Sequence, residues 1–269
     1  VLASLARDTE GTLANARALR KAVDRPNLMI KVPGTDEGAA AIQTLLTEGV
    51  NVNVTLLFSL DNYKRVAVAY IDALQKRHDD GLPIDRIASV ASFFVSRVDT
   101  LVDKKLDELA ANANGDRSTI ESLKGKVAVA NAQLAYEIFE KLFTSDRFKK
   151  LADAGAKVQR PLWASTGTKN PAYSDILYVE TLVGPHTVNT MPVATIEAFL
   201  DHGTVKRTVD ADYAAAHEVA DTLASVGLSI LDVTHQLEEE GIATFVKSYD
   251  DLLEGVEKKR SDVAEAVSN

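Results

Sequence analysis

Short apolar runs alternate with longer stretches of helical periodicity, and this alternation constrains the fold more than any other feature of the chain. Strand-like segments fall at 27–32, 50–57, 87–94, 158–165 and 187–191. Between the first of them lie helical patterns at 9–23, 36–48 and 60–77, the second capped by Thr35 or Asp36 and stopped by Gly49. Further helices are expected over 98–111, 120–143, 148–154 and 211–225, from Val233 onward, and from Pro192 at a first-turn position. Asn112 to Asp116 reads as a polar loop. Strands separated by helices imply right-handed crossovers and a parallel sheet with helices outside. An open doubly wound sheet and part of an eight-stranded barrel both satisfy that pattern. No G-x-G-x-x-G or G-x-x-x-x-G-K-[ST] turn follows any strand, which weakens the nucleotide-binding open sheet.

Composition removes several function classes. A net charge of −9 argues against nucleic acid, and an anionic substrate would have to be met by a few local cations. With no cysteine there is no disulfide, thiolate nucleophile or cysteine-based metal site, and the five histidines lack metal-ligand spacing. No run approaches 18 apolar residues and no signal-peptide pattern opens the chain, so no membrane contact is expected and a cytoplasmic setting fits. The sequence starts at Val1 and enters a helical pattern by Asp8 or Thr9, as a chain that begins mid-protein would.

Lys31 stands in the apolar run Leu28-Met29-Ile30-Lys31-Val32-Pro33. Desolvation there disfavours the ammonium and lowers the pKa, and a neutral amine is what imine-forming catalysis needs. The competing reading is an edge-strand lysine whose stem packs and whose head reaches water. In Asn51-Val52-Asn53-Val54-Thr55, period-2 geometry puts Asn51, Asn53 and Thr55 on one face, suited to a polyol or a water. Strand-start asparagines with a β-forming threonine explain the same letters.

Ser92-Phe93-Phe94-Val95-Ser96-Arg97 offers a hydroxyl at a strand end and a cation near a helix start, where a phosphate could pair bidentately; a surface arginine is the alternative. Ser165-Thr166-Gly167-Thr168-Lys169 resembles an anion-binding turn, or a generic polar loop ending at Asn170-Pro171. Lys31, Thr55, Ser92 and Ser165 all lie near the C-terminal ends of strands, where barrels place functional residues. Glu238-Glu239-Glu240 reads as a solvated face, Asp79-Asp80 as a solvated face or turn.

Taken in order, Asn27 to Thr35, Asn51 to Ser59 and Ser92 to Arg97 resemble three consecutive signatures of the transaldolase family. Arg160-Pro161-Leu162-Trp163-Ala164-Ser165-Thr166 and Asn189-Thr190-Met191-Pro192 are similar to its longer bacterial and plant type, and the likeness extends over essentially the whole chain. The resemblance implies a single (β/α)₈ TIM-type barrel domain over 1–269, represented from about the third β/α unit onward. It implies no cofactor and no metal, and a monomer or homodimer acting on sugar phosphates in the pentose phosphate pathway.

By the same resemblance Lys31 and Thr55 are catalytic, with Lys31 the Schiff-base lysine. Asn53, Ser92, Arg97, Ser165 and Lys169 bind substrate. The family's usual second phosphate cation is arginine, so lysine at 169 is a departure. Val1, Leu5, Ala6, Asp8 and Thr9 fit the family pattern while Leu2, Ala3 and Ser4 do not, and the family's acid–base glutamate is expected just upstream of Val1. The rival activities are a fructose-6-phosphate aldolase of the same superfamily, against which Phe94 counts because those enzymes typically carry glutamine there, and a non-catalytic interaction module.

Overall fold

The computed structural model describes residues 1–112 and 117–268, so most of the expected polar loop at 112–116 lies outside the described residues. Five parallel strands, β1 (Ile30–Pro33), β2 (Val52–Leu57), β3 (Ser89–Phe94), β4 (Arg160–Ala164) and β5 (Val188–Asn189), form one sheet in the order β1-β2-β3-β4-β5. Strand order never reverses, which is how a barrel wall is laid down. A doubly wound sheet would reverse at a switch point. Among the described residues the sheet does not close, and β1 and β5 are its edges.

The helices are α1 (Thr9–Val23), α2 (Asp36–Thr47), α3 (Leu60–Asp79), α4 (Ser96–Asn112), α5 (Arg117–Ser122), α6 (Val127–Phe143), α7 (Asp146–Asp153), α8 (Leu177–Glu180), α9 (Val193–His202), α10 (Tyr213–Ser225) and α11 (Ile230–Ser268). A hydroxyl follows β1 and β2 within two residues and caps the next helix. The Thr35 side chain accepts from Gly38 N–H at 3.0 Å, and that of Ser59 from Asn62 N–H at 3.1 Å. Gly49, at φ +90°, turns the chain out of α2 into β2, a conformation that costs a glycine little.

Two expectations fail. The long helix over 120–143 is broken into α5 and α6, with Gly125 at φ +70° in the break. Pro192 is the extended N-cap of α9 rather than a first-turn residue.

In a parallel sheet, residues paired in register share a face. Val32, Val54, Ala91 and Trp163 point outward against α2, α3 and α6, where Tyr63, Phe93 and Trp163 meet edge to face. The Trp163 indole N–H is satisfied by Leu182 C=O at 3.0 Å. The opposite, inner face carries Lys31, Asn53 and Thr55, then Val90, Ser92 and Phe94, then Leu162 and Ala164. None of the described helices is long and apolar enough to cross a membrane.

Candidate active site

Lys31 sits opposite Asn53 in the β1–β2 register, and Thr55 lies one residue pair further along the same face. Asn53 is tied to the next strand, its amide oxygen accepting from the Ser92 hydroxyl at 2.8 Å. Lys31 and Thr55 line one cavity of about 90 Å³, together with Pro33, Leu56 and Phe245 of α11. The Thr55 hydroxyl is buried and has no partner among the described residues, which leaves it able to hold a water or a substrate oxygen.

Consecutive strand residues normally point to opposite faces, so Thr55 and Leu56 lining one cavity needs an explanation. The β2–β3 register shifts between Val54 and Leu57, and Leu56 adopts φ +57°. A left-handed leucine costs of order 1–2 kcal/mol and persists only where packing imposes it. The α11 helix packs against it: a Cβ on Gly241 would come within 2.9 Å of Leu56 Cδ2, so any larger residue there would have to displace the leucine side chain.

The expectation of a lysine buried in its strand needs correction. Lys31 is exposed as a residue because β1 is a sheet edge with no strand on its outer side among the described residues. Its amine pKa is nonetheless lowered, by desolvation. Exposure counts the whole residue at an open edge, whereas the lowered pKa reflects protein atoms crowded around the amine. The amine is therefore desolvated in part only.

Arg97 and Lys169 come together elsewhere, lining a cavity of about 390 Å³ between α4 and α11. The Arg97 guanidinium lies 5.4 Å from the centroid of the Phe94 ring, which is itself packed on Phe58. Lys104, two turns further along α4, lines the same cavity and had no signal in the sequence. Some other cations of this acidic chain are ion-paired, such as Arg65 with Asp36 and Arg147 with Asp72. Among the described residues none of Arg97, Lys104 and Lys169 has a carboxylate within ion-pair distance. The one carboxylate on the cavity wall, Glu240, accepts from the Gln236 amide at 2.7 Å. Three cations without a carboxylate partner around one hollow are a candidate for holding an anion, and Lys104 and Lys169 also border a second hollow lined by Asp99, Asp103 and Asp107.

Ser165 stands between the groups at the end of β4, at φ +56°. Its hydroxyl is 2.9 Å from that of Ser96, and its carbonyl accepts from Ser96 N–H at 2.9 Å. The Lys31 and Arg97 cavities share no lining residue; the neighbours Thr244 and Phe245 of α11 face one each. Glu238 departs from the solvated face expected of it. It is 8% exposed, accepts from Asn62 at 2.6 Å and Arg7 at 3.2 Å, and burial raises its pKa. Among the described residues no three His, Asp or Glu side chains group closely enough to hold a metal ion.

Comparison with known proteins identifies the family. The family model described as transaldolase/fructose-6-phosphate aldolase matches residues 1–256. A transaldolase of Thermobifida fusca is 53% identical over 94% of this chain and 67% of its own length. Transaldolases of Saccharopolyspora erythraea and Mycolicibacterium smegmatis are 51% and 48% identical over 95% and 94% of the chain, covering 68% and 67% of theirs. The chain thus spans about two thirds of the length of these relatives. It belongs to the transaldolase/fructose-6-phosphate aldolase family.

Proposed function

We propose that Lys31 is the imine-forming nucleophile of a transaldolase, with Arg97 and Lys169 holding the phosphate of its sugar substrates. The observation that carries the reading is the β1–β2 register. It sets an amine of lowered pKa opposite Asn53 and in one cavity with the unpartnered Thr55 hydroxyl.

The neutral Lys31 amine adds to the C2 carbonyl of a ketose phosphate, and water leaves to give a protonated imine. That cation accepts the electron pair of the C3–C4 bond as it breaks, while the C4 hydroxyl passes its proton to the water at Thr55 and its oxygen becomes the aldehyde carbonyl; a proton returns the same way to the new hydroxyl when the acceptor adds. An aldose phosphate departs and an enamine remains on Lys31. The enamine carbon then attacks the aldehyde of a second aldose phosphate, and water releases the new ketose. Thr55 holds the water that enters and leaves, while Asn53 and Ser92 bind the sugar hydroxyls. Arg97, Lys169 and the Ser165 turn hold the phosphate end and contribute binding free energy for the sugar phosphate.

The resemblance gives sedoheptulose 7-phosphate with glyceraldehyde 3-phosphate as one substrate pair, and fructose 6-phosphate with erythrose 4-phosphate as the other. We further read residues 1–269 as one barrel-type domain, acting in the cytoplasm as a monomer or homodimer.

The family includes aldolases that release free dihydroxyacetone, and the relatives named above carry the name of the transferase. By the resemblance, phenylalanine at 94, where those aldolases typically carry glutamine, favours the transferase reading. Incubation with fructose 6-phosphate alone and then with erythrose 4-phosphate separates the two activities. A transaldolase releases glyceraldehyde 3-phosphate steadily only when the acceptor is present. Steady dihydroxyacetone without acceptor would assign the aldolase, and silence in both assays would leave the interaction-module reading standing.

A further inference from the structure

The loop after β4 carries Lys169 outward and then turns back into the protein at Tyr173. Its turn is closed locally: Tyr173 N–H donates to Asn170 C=O at 3.1 Å, Ala172 N–H to Asn170 Oδ1 at 3.0 Å, and the Thr168 hydroxyl to Ser174 C=O at 2.8 Å. Lys169 therefore rides on a small unit stapled to itself, and its position depends on where that unit is anchored.

The anchor is α4, the helix that presents Arg97. Tyr173 OH donates to Asp103 Oδ2 at 2.6 Å, and one helical turn earlier Tyr178 OH donates to Asp99 Oδ2 at 2.9 Å. The remaining carboxylate oxygens take backbone N–H groups, Asp103 Oδ1 that of Gly125 at 3.1 Å and Asp99 Oδ1 that of Ala128 at 2.7 Å. The Tyr173 ring lies against Gly125 so closely that a Cβ there would meet its Cζ at 2.8 Å. The break between α5 and α6 is thus a seat for this ring. Arg97, Leu101 and Lys104 line the cavity that Lys169 borders, while Asp103 holds the Lys169 loop through Tyr173 and Asp99, one turn earlier, holds Tyr178 of α8; Lys104 and Lys169 also border the hollow in which these two carboxylates sit.

We propose that Tyr173, clasped between Asp103 and Gly125, is a positioning residue that sets the placement of Lys169 relative to Arg97 and so tunes affinity for the substrate phosphate. This rests on the reading of Arg97 and Lys169 as the phosphate cations. Tyr173 touches no reacting atom. Lys31 lies in a separate cavity, so loosening the clasp weakens binding of the phosphate without slowing the chemistry.

The test is a double-mutant cycle on the full chain with Y173F, K169A and the combined variant, and with D103N as a second way to open the clasp. Fructose 6-phosphate serves as donor beside fructose, which lacks the phosphate. The expected result for Y173F and D103N is a KM for fructose 6-phosphate raised roughly three- to ten-fold, less than a charged hydrogen bond is worth because the lost bond acts on the substrate only through Lys169. Turnover with fructose 6-phosphate and kcat/KM for fructose stay unchanged, and Y173F adds nothing once Lys169 is alanine. Equal losses with fructose, or additive effects in the cycle, would show a role confined to stability and overturn the proposal. An unchanged KM in Y173F and D103N where K169A raises it would overturn it as well. An unchanged KM in K169A would instead remove the phosphate assignment on which it depends.

Discussion

The Ser92 hydroxyl donates to the Asn53 amide oxygen at 2.8 Å across β2 and β3, fixing which way the Asn53 amide presents its N–H groups to the inner face. Removing the donor in S92A frees that amide to rotate. We expect kcat/KM for fructose 6-phosphate to fall about ten-fold, the scale of one misoriented hydrogen-bonding group, while stability drops by only about 1 kcal/mol. Steady-state kinetics and urea unfolding of the same variant read both quantities.

Thr55 predicts the opposite pairing of effects. Its buried hydroxyl has no partner among the described residues, so the fold gains nothing from it and loses its desolvation free energy. T55V keeps the shape and removes the polar atom. The variant is expected to be as stable as the parent or more so, by up to about 2 kcal/mol, and much slower in turnover. A T55V protein that loses stability and keeps full turnover would show a structural hydroxyl instead.

Asp99 makes stability depend on pH. It is 1% exposed, and burial pushes its carboxyl up to about 7, although Ala128 N–H and Tyr178 OH act in the opposite direction. In the unfolded chain the same group titrates near 4. Between those values the folded protein holds a proton that the unfolded chain has lost. The Asp99 contribution to stability therefore falls as pH rises from about 4 to about 7, by about 1.4 kcal/mol for each pH unit crossed, and stays at its lower level above that. D99N carries no such proton, so its unfolding free energy measured at pH 5 and at pH 8 should differ less than that of the parent.

What the sequence made legible is local. Thr35 announces a helix start because a cap is a contact between residues three apart, and the strands announce themselves by period and β-branching. Asn53 and Thr55 were legible as one face for the same reason, whereas the register that brings Lys31 and Ser92 onto that face is set between strands. The hidden features depend on distant partners. Glu238 reads as part of a charge run, and only Arg7, 231 residues away, reveals it as buried. The bulge at Leu56 lies against Gly241 of α11, a distant contact that no strand pattern encodes. Gly125 sits in an otherwise helical stretch where a lone glycine is ambiguous; the ring of Tyr173 decides it. The exposure of Lys31 is likewise a matter of what flanks β1 in space.

Lys31 is the residue on which the proposed chemistry turns, and reductive trapping addresses it directly. The protein is treated with fructose 6-phosphate and borohydride across a range of pH, and the adduct is located by peptide mass mapping. The expected result is one dihydroxyacetone-derived modification, on Lys31, formed with a pH midpoint below the ordinary lysine value of about 10.4. A modification on a different lysine, or undiminished turnover in K31R, would contradict the assignment.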